Sequence, residues 1–133
     1  MKIVCVSGYF DPIHVGHIEY MERSRLLGDY LFVIVNNDHQ ASLKKTKSFM
    51  PEAERLKIIR SLKCVDGAMI AVDKDRTVCE TLRVIRPDIF TNGGDQTNLT
   101  IPEGPICTEL GIQLIDGLGE KIQSSSWLIK KSK

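Results

Sequence analysis

The stretch Gly8-Tyr9-Phe10-Asp11-Pro12-Ile13-His14-Val15-Gly16-His17 sets two imidazoles three residues apart at the start of a predicted helix. A helix N-terminus presents unpaired backbone N–H groups and the positive end of its dipole, so it attracts phosphate. Residues three apart share a helix face, and both rings can donate hydrogen bonds to phosphoryl oxygens there. Gly16 leaves out a side chain where backbone and ligand must approach closely. Asp11, in the same loop, is placed to orient the histidines or a metal ion. A lone histidine at a helix start is ordinarily a surface residue. The full string, between a strand and a helix, points instead to phosphate chemistry.

Four other groups carry chemical types of interest. Lys44, Lys45 and Lys47 form a basic run, whose plain reading is a solvated loop. Arg55 is either an exposed helix charge or a bidentate oxyanion ligand. Asn92-Gly93-Gly94-Asp95 reads equally as a plain Gly-rich turn or as a turn with a role in a site. Ser124, Ser125 and Ser126 suit a helix N-cap.

The elements that must position these groups alternate along the chain. Apolar, β-branched runs predict strands over Lys2–Ser7, Tyr30–Val35, Ala68–Val72, Asp88–Thr91 and Ile112–Ile115. Helices are expected over Val15–Leu27, closed by Gly28 at the C′ position, and from Pro51 and Glu52 to about Leu62. A third should run from a capping box at Thr77 and Glu80 to Ile85, a short one near Glu103–Leu110, and a last one from Ser124 to Ser126 onward through Trp127. Asn36-Asn37-Asp38 is read as the end of a strand, with loop following. This order implies a single α/β domain over residues 1–133: a Rossmann-like, doubly wound, parallel five-stranded sheet with helices on both faces. Ligands in such folds bind at the carboxyl ends of the strands, near a switch in strand order. Each chemistry-bearing group falls after a predicted strand or at a helix start.

Composition sets limits. Apolar residues are 42% and charged residues 26% of 133, an ordinary globular balance. Eighteen basic against seventeen acidic side chains give a net charge of +1, which supports neither a nucleic-acid nor a membrane surface. The four cysteines, at 5, 64, 79 and 107, lack metal or redox spacing, and Cys5 reads as a small core residue. Signal-peptide and membrane-span patterns are missing, so the expected location is cytoplasmic. Neither a Walker A string nor G-x-G-x-x-G occurs, which argues against kinase, GTPase and dehydrogenase readings.

The ten-residue string resembles the G-x-F-D-x-x-H-x-G-H signature of the cytidylyltransferase-like nucleotidyltransferases. The likeness is to the glycerol-3-phosphate cytidylyltransferase branch and to the adenylyltransferase domain of heptose-phosphate enzymes. Leu27-Gly28-Asp29-Tyr30-Leu31, Pro51-Glu52-Ala53-Glu54-Arg55 with Val65-Asp66, and Pro87-Asp88 with Gly93-Gly94-Asp95 extend it over essentially the whole chain. The resemblance implies transfer of CMP or AMP from CTP or ATP to a small phosphorylated acceptor such as a glycerol or sugar phosphate, with release of pyrophosphate. It implies catalytic roles for His14, His17 and Lys44. Gly8, Tyr9, Phe10, Asp11, Gly16, Gly93, Asp95 and Ser124–Ser126 would bind the nucleotide. Arg55 and Lys47 would face the acceptor. Mg²⁺ would ride on the triphosphate, since the chain shows no protein-made carboxylate cage. Relatives of this kind commonly form homodimers. The cytidylyl version carries an arginine ahead of its serine/threonine motif; Gly119–Ser126 has only Lys121, so CTP and ATP stay open. The alternative is a nucleotide-binding sensor or scaffold of the same fold without turnover.

Overall fold

The computed structural model describes residues 1–44, 49–91 and 102–115, with the Lys44 side chain excepted. Lys47, Gly93, Asp95, Ser124, Ser125, Ser126 and the expected last helix lie outside the described residues. Strands β1 (Ile3–Gly8), β2 (Tyr30–Val35), β3 (Gly67–Ile70), β4 (Ile89–Thr91) and β5 (Gln113–Ile115) form one sheet in the order β3-β2-β1-β4-β5. Every pairing is parallel. The chain builds outward from β1 to β3, then returns to the other side of β1. The topological switch therefore lies between β1 and β4, at their carboxyl ends.

Period-two alternation divides the sheet between two cores. Val4, Val6, Leu31, Val33 and Val35 pack with Tyr20 and Met21 of α1 (Val15–Arg25) and Ile59 of α3 (Glu52–Arg60). Cys5, Ile34 and Phe90 pack on the opposite face with Leu82 of α4 (Cys79–Ile85) and with Ile106 and Cys107 of α5 (Gly104–Leu110). The doubly wound α/β reading holds. All four cysteines are unpaired, and burial pushes the Cys5 thiol well up.

Three aspartates pin the amino ends of the strands. The carboxylates of Asp29, Asp66 and Asp88 accept the backbone N–H of Lys2 (2.8 Å), Leu31 (2.9 Å) and Ile3 (2.8 Å). Each also donates its own N–H to the neighbouring strand, to the carbonyls of Lys2, Leu31 and Ile3 respectively. These contacts set the register at the sheet edge opposite the switch point.

The local expectations need three corrections. Gly28 is not a left-handed C′ residue: α1 ends at Arg25 with Leu26 as its cap, and Gly28 is small because a Cβ would lie 2.7 Å from the Lys2 carbonyl oxygen. Thr77 is not the N-cap of α4, which is Val78, although its hydroxyl accepts the Cys79 N–H at 3.4 Å. The same hydroxyl bonds Asp75, while the buried Asp73 carboxylate takes the N–H groups of Glu80 and Thr81, and Glu103 takes that of Val78. The segment after β2 is not loop but a helix, α2 (Asp38–Lys44). Its start is a reciprocal capping box. The Asn37 Oδ1 accepts the Gln40 N–H (2.8 Å), and the Gln40 Oε1 accepts the Asn37 N–H (2.9 Å).

Candidate active site

The loop leaving β1 turns sharply into α1. Phe10 has φ of +52°, a left-handed backbone that a bulky residue adopts only when its surroundings fix it. Burial does so here: Phe10 is 2% exposed. Gly8 makes the space, because a Cβ there would meet the tip of the Phe10 ring at 2.7 Å. The Phe10 ring also stands against His17, with centroids 5.1 Å apart and planes at 81°.

His14 is the N-cap of α1 and His17 its third residue, and they cap the helix reciprocally. The Gly16 N–H donates to His14 Nδ1 (3.1 Å), and the His14 N–H donates to His17 Nδ1 (3.1 Å). A backbone N–H can only donate, so each Nδ1 is an acceptor and bears no proton. In each neutral ring the proton must then sit on Nε2. The two rings stack with centroids 3.9 Å apart. The outcome is a pair of pre-oriented Nε2–H donors beside a helix N-terminus, an arrangement suited to phosphoryl oxygens. Gly16 serves this pair directly, since a Cβ there would press on the His14 ring at 3.0 Å.

Burial, and then the neighbouring His14, lower the His17 pKa from the ordinary 6.5 to about 4. The ring is neutral at pH 7. Between pH 6.5 and about 4 the unfolded chain takes up this proton before the folded one does. His17 therefore contributes stability that is complete above that window and is lost as pH falls through it. Melting temperature against pH should drop over this range in the wild type and drop less in a His17→Asn chain. Parallel curves for the two would contradict the assignment.

Behind the histidines, Tyr20 and Ser24 of α1 bond the Thr91 hydroxyl at the end of β4 (2.8 and 3.1 Å). All three are buried, and burial pushes the Tyr20 phenol well up. This cluster ties α1 across the switch point. Nothing in the sequence marks it, because Thr91 lies 71 and 67 residues from Tyr20 and Ser24.

The Asp11 carboxylate is engaged with the backbone ahead of α3. Its Oδ2 and Oδ1 accept the backbone N–H groups of Phe49 (2.8 Å) and Met50 (2.6 Å), which fastens the segment before α3 to the histidine loop. Among the described residues, no group of three or more His, Cys, Asp or Glu could hold a metal ion.

Arg55 departs most from expectation. The resemblance implies an acceptor ligand, yet the residue is 1% exposed. Its guanidinium donates to the carbonyls of Met50 (2.9 Å), Tyr9 (2.8 Å) and Asn36 (2.7 Å) and pairs with Asp38 (2.7 Å). Four bonds made inward leave the side chain turned to the framework instead of to an acceptor phosphate. Lys44 is the last residue of α2. The first residue of that helix, Asp38, is held by Arg55 and by Glu52, whose carboxylate accepts the Asp38 N–H at 2.7 Å. The structure thus brings the histidine loop, the start of the lysine-bearing helix and the start of α3 to the carboxyl ends of β1 and β2.

The family model described as cytidylyltransferase-like matches residues 5–111. The chain belongs to the cytidylyltransferase-like family. It is 44% identical over 96 residues to the FAD synthase of Methanolacinia petrolearia, covering 72% of this chain and 63% of that one. It is 36% identical over 117 residues to the bifunctional protein HldE of Streptomyces coelicolor, covering 85% of this chain and 24% of that one. This family member therefore spans about a quarter of the HldE length and less than two thirds of the FAD synthase. A solved lipopolysaccharide core biosynthesis protein from Thermoplasma volcanium superposes with a TM-score of 0.75 at 31% identity, over 87% of this chain and 95% of that one. No helix among the described residues is long and apolar enough to cross a membrane.

Proposed function

We propose that this protein transfers an adenylyl group from ATP to a small phosphorylated acceptor and releases pyrophosphate. The observation that carries the reading is the pair of Nε2–H donors fixed by mutual capping at the start of α1, at the switch point of the sheet. An acceptor phosphate oxygen attacks the α-phosphorus in line. The bond from that phosphorus to the bridging oxygen breaks, and its electron pair leaves with pyrophosphate. A phosphate dianion is already a competent nucleophile, so the chemistry requires neither an enzyme nucleophile nor a general base. Catalysis is then positioning and charge stabilisation.

In this reading the neutral rings of His14 and His17 donate to α- and β-phosphate oxygens. Lys44 neutralises charge building on the transferring group. The serines at 124–126 hold the leaving pyrophosphate. Mg²⁺ would ride on the triphosphate, where it offsets phosphate charge; among the described residues no group of three or more His, Cys, Asp or Glu could hold it. The adenylyl choice is supported by similarity to an FAD synthase, whose named product contains an adenylyl group. The departure of Gly119–Ser126 from the cytidylyl form of that motif points the same way. A homodimer and a cytoplasmic location belong to the same proposal.

A thermal-shift screen of the four NTPs with Mg²⁺ tests the base. At about a hundredfold excess over Kd, binding adds about 2.7 kcal/mol, or roughly 5–10 °C for a domain of this size. ATP should give that shift and CTP little; the reverse would overturn the adenylyl choice. Pyrophosphate release should follow when FMN, sugar phosphates and glycerol phosphate are offered in turn. ATP binding without release for any acceptor would mark a sensor instead.

A further inference from the structure

Arg55 holds a full charge with its side chain completely buried. Its partners lie 5, 46, 19 and 17 residues away along the chain. They belong to four different segments: the bend preceding α3, the loop after β1, the residue that follows β2 and the start of α2. Burying an arginine is expensive unless its donors are met, and here they are met by backbone carbonyls and one carboxylate. Lysine cannot reproduce such a fork, because its ammonium is a single point with three donors.

Two of the four segments carry groups the proposed reaction uses. The Tyr9 carbonyl adjoins Phe10, whose buried ring braces His17 from the side. Asp38 opens the seven-residue helix that ends in Lys44. The Met50 carbonyl belongs to a residue whose N–H is taken by Asp11, so the third bond closes the loop back to the histidine segment.

We infer that Arg55 is a positioning residue that couples the histidine loop to the lysine-bearing helix α2, so that both phosphate-contacting groups move as one unit. The inference rests on the nucleotidyl-transfer reading for its effect on turnover. Its effect on the histidines stands without that reading.

The test compares wild type, Arg55→Lys and Asp38→Asn in two measurements. The first is kcat, with KM for ATP and for the acceptor. Displacing reacting groups by about 1 Å costs on the order of 100-fold in rate, so Arg55→Lys should lose kcat by that order while the acceptor KM moves by less than about threefold. The second is the pattern of imidazole ring-nitrogen NMR shifts in the ligand-free protein. The wild type should show His17 locked as the Nε2–H tautomer. Arg55→Lys should show an average of the two tautomers. Asp38→Asn, which leaves the Tyr9 contact in place, should keep the locked signature and still lose kcat. A rise in acceptor KM with kcat intact would make Arg55 a ligand and overturn the inference. So would an unchanged His17 signature in Arg55→Lys. Should the wild type release no pyrophosphate at all, the nucleotidyl-transfer reading fails, while the tautomer measurement still decides the coupling.

Discussion

Replacing His17 with asparagine is expected to leave the fold standing and to remove roughly 100- to 1000-fold of turnover, the scale of one lost oxyanion donor. The two nitrogens of this ring do separate things. Nδ1 accepts the His14 N–H and completes the helix cap. Nε2 carries the proton that the proposed reaction offers to phosphate. The Oδ1 of asparagine falls near the Nδ1 position and can take over the cap, and asparagine resembles histidine in helix propensity. Its amide nitrogen stops one bond short of Nε2. Stability should therefore fall by only about 0.5–1.5 kcal/mol at neutral pH, since the cap is preserved while the ring contacts with Phe10 and His14 are lost. Glutamine reverses the trade: its Nε2 reaches the lost donor position, so His17→Gln should recover part of the rate. Denaturant melts and pyrophosphate-release kinetics on the three proteins read both quantities. Wild-type turnover in a folded His17→Asn chain would sink the role given to this ring.

The dual use of each imidazole was only half legible in sequence. The spacing of His14 and His17 showed that they share a helix start. It did not show that they cap each other, since histidine is not a usual capping residue. Similar reasons explain what else was missed. The pair Asn37 and Gln40 carries the spacing of a capping box, but asparagines after a strand read first as a turn, and α2 went unrecognised. Asp73 and Glu103 cap α4 from outside the helix, which no local pattern reveals. By contrast, the strands could be read almost to the residue, because a parallel sheet covered on both faces demands unbroken β-branched runs.

The aspartates at 29, 66 and 88 sharpen what a family signature means. They recur in the strings that carried the resemblance, and each clamps a neighbouring strand at the end of the sheet away from the site. Much of the signature is thus architectural. Arg55 belongs with them in kind, being buried and bonded to backbone, but it lies at the other end of the strands. Its partners could not be inferred locally because they are carbonyls, which every residue has, on segments far off in the chain. A guanidinium's fit to oxyanions and the family resemblance suggest an anion ligand; burial and the inward bonds assign it to the framework.

Asp11→Asn is the second substitution expected to have a large effect, and it separates two roles for this carboxylate. Both oxygens accept backbone N–H groups, from Phe49 and Met50, at 2.8 and 2.6 Å. A carboxamide keeps one acceptor and turns an NH₂ toward the other N–H. One charge-assisted bond is lost, at a cost of about 1.5–3 kcal/mol, with the exposed setting of Phe49 favouring the lower figure. The larger consequence is positional. The segment before α3 is held to the histidine loop through Asp11 and through the Arg55 bond to Met50, so a loosened Asp11 shifts the two sides of the site relative to each other. A displacement of about 1 Å would lower kcat on the order of 100-fold. On the proposed reading the Mg²⁺ concentration that gives half-maximal rate should not move, because a cation carried by the triphosphate would not use this side chain. A metal-ligating Asp11 predicts the opposite pattern: a half-saturation point pushed to higher Mg²⁺, with kcat recovering once the cation is in excess. Rate against Mg²⁺ for the two proteins, beside their melting curves, distinguishes a fastening carboxylate from a metal ligand.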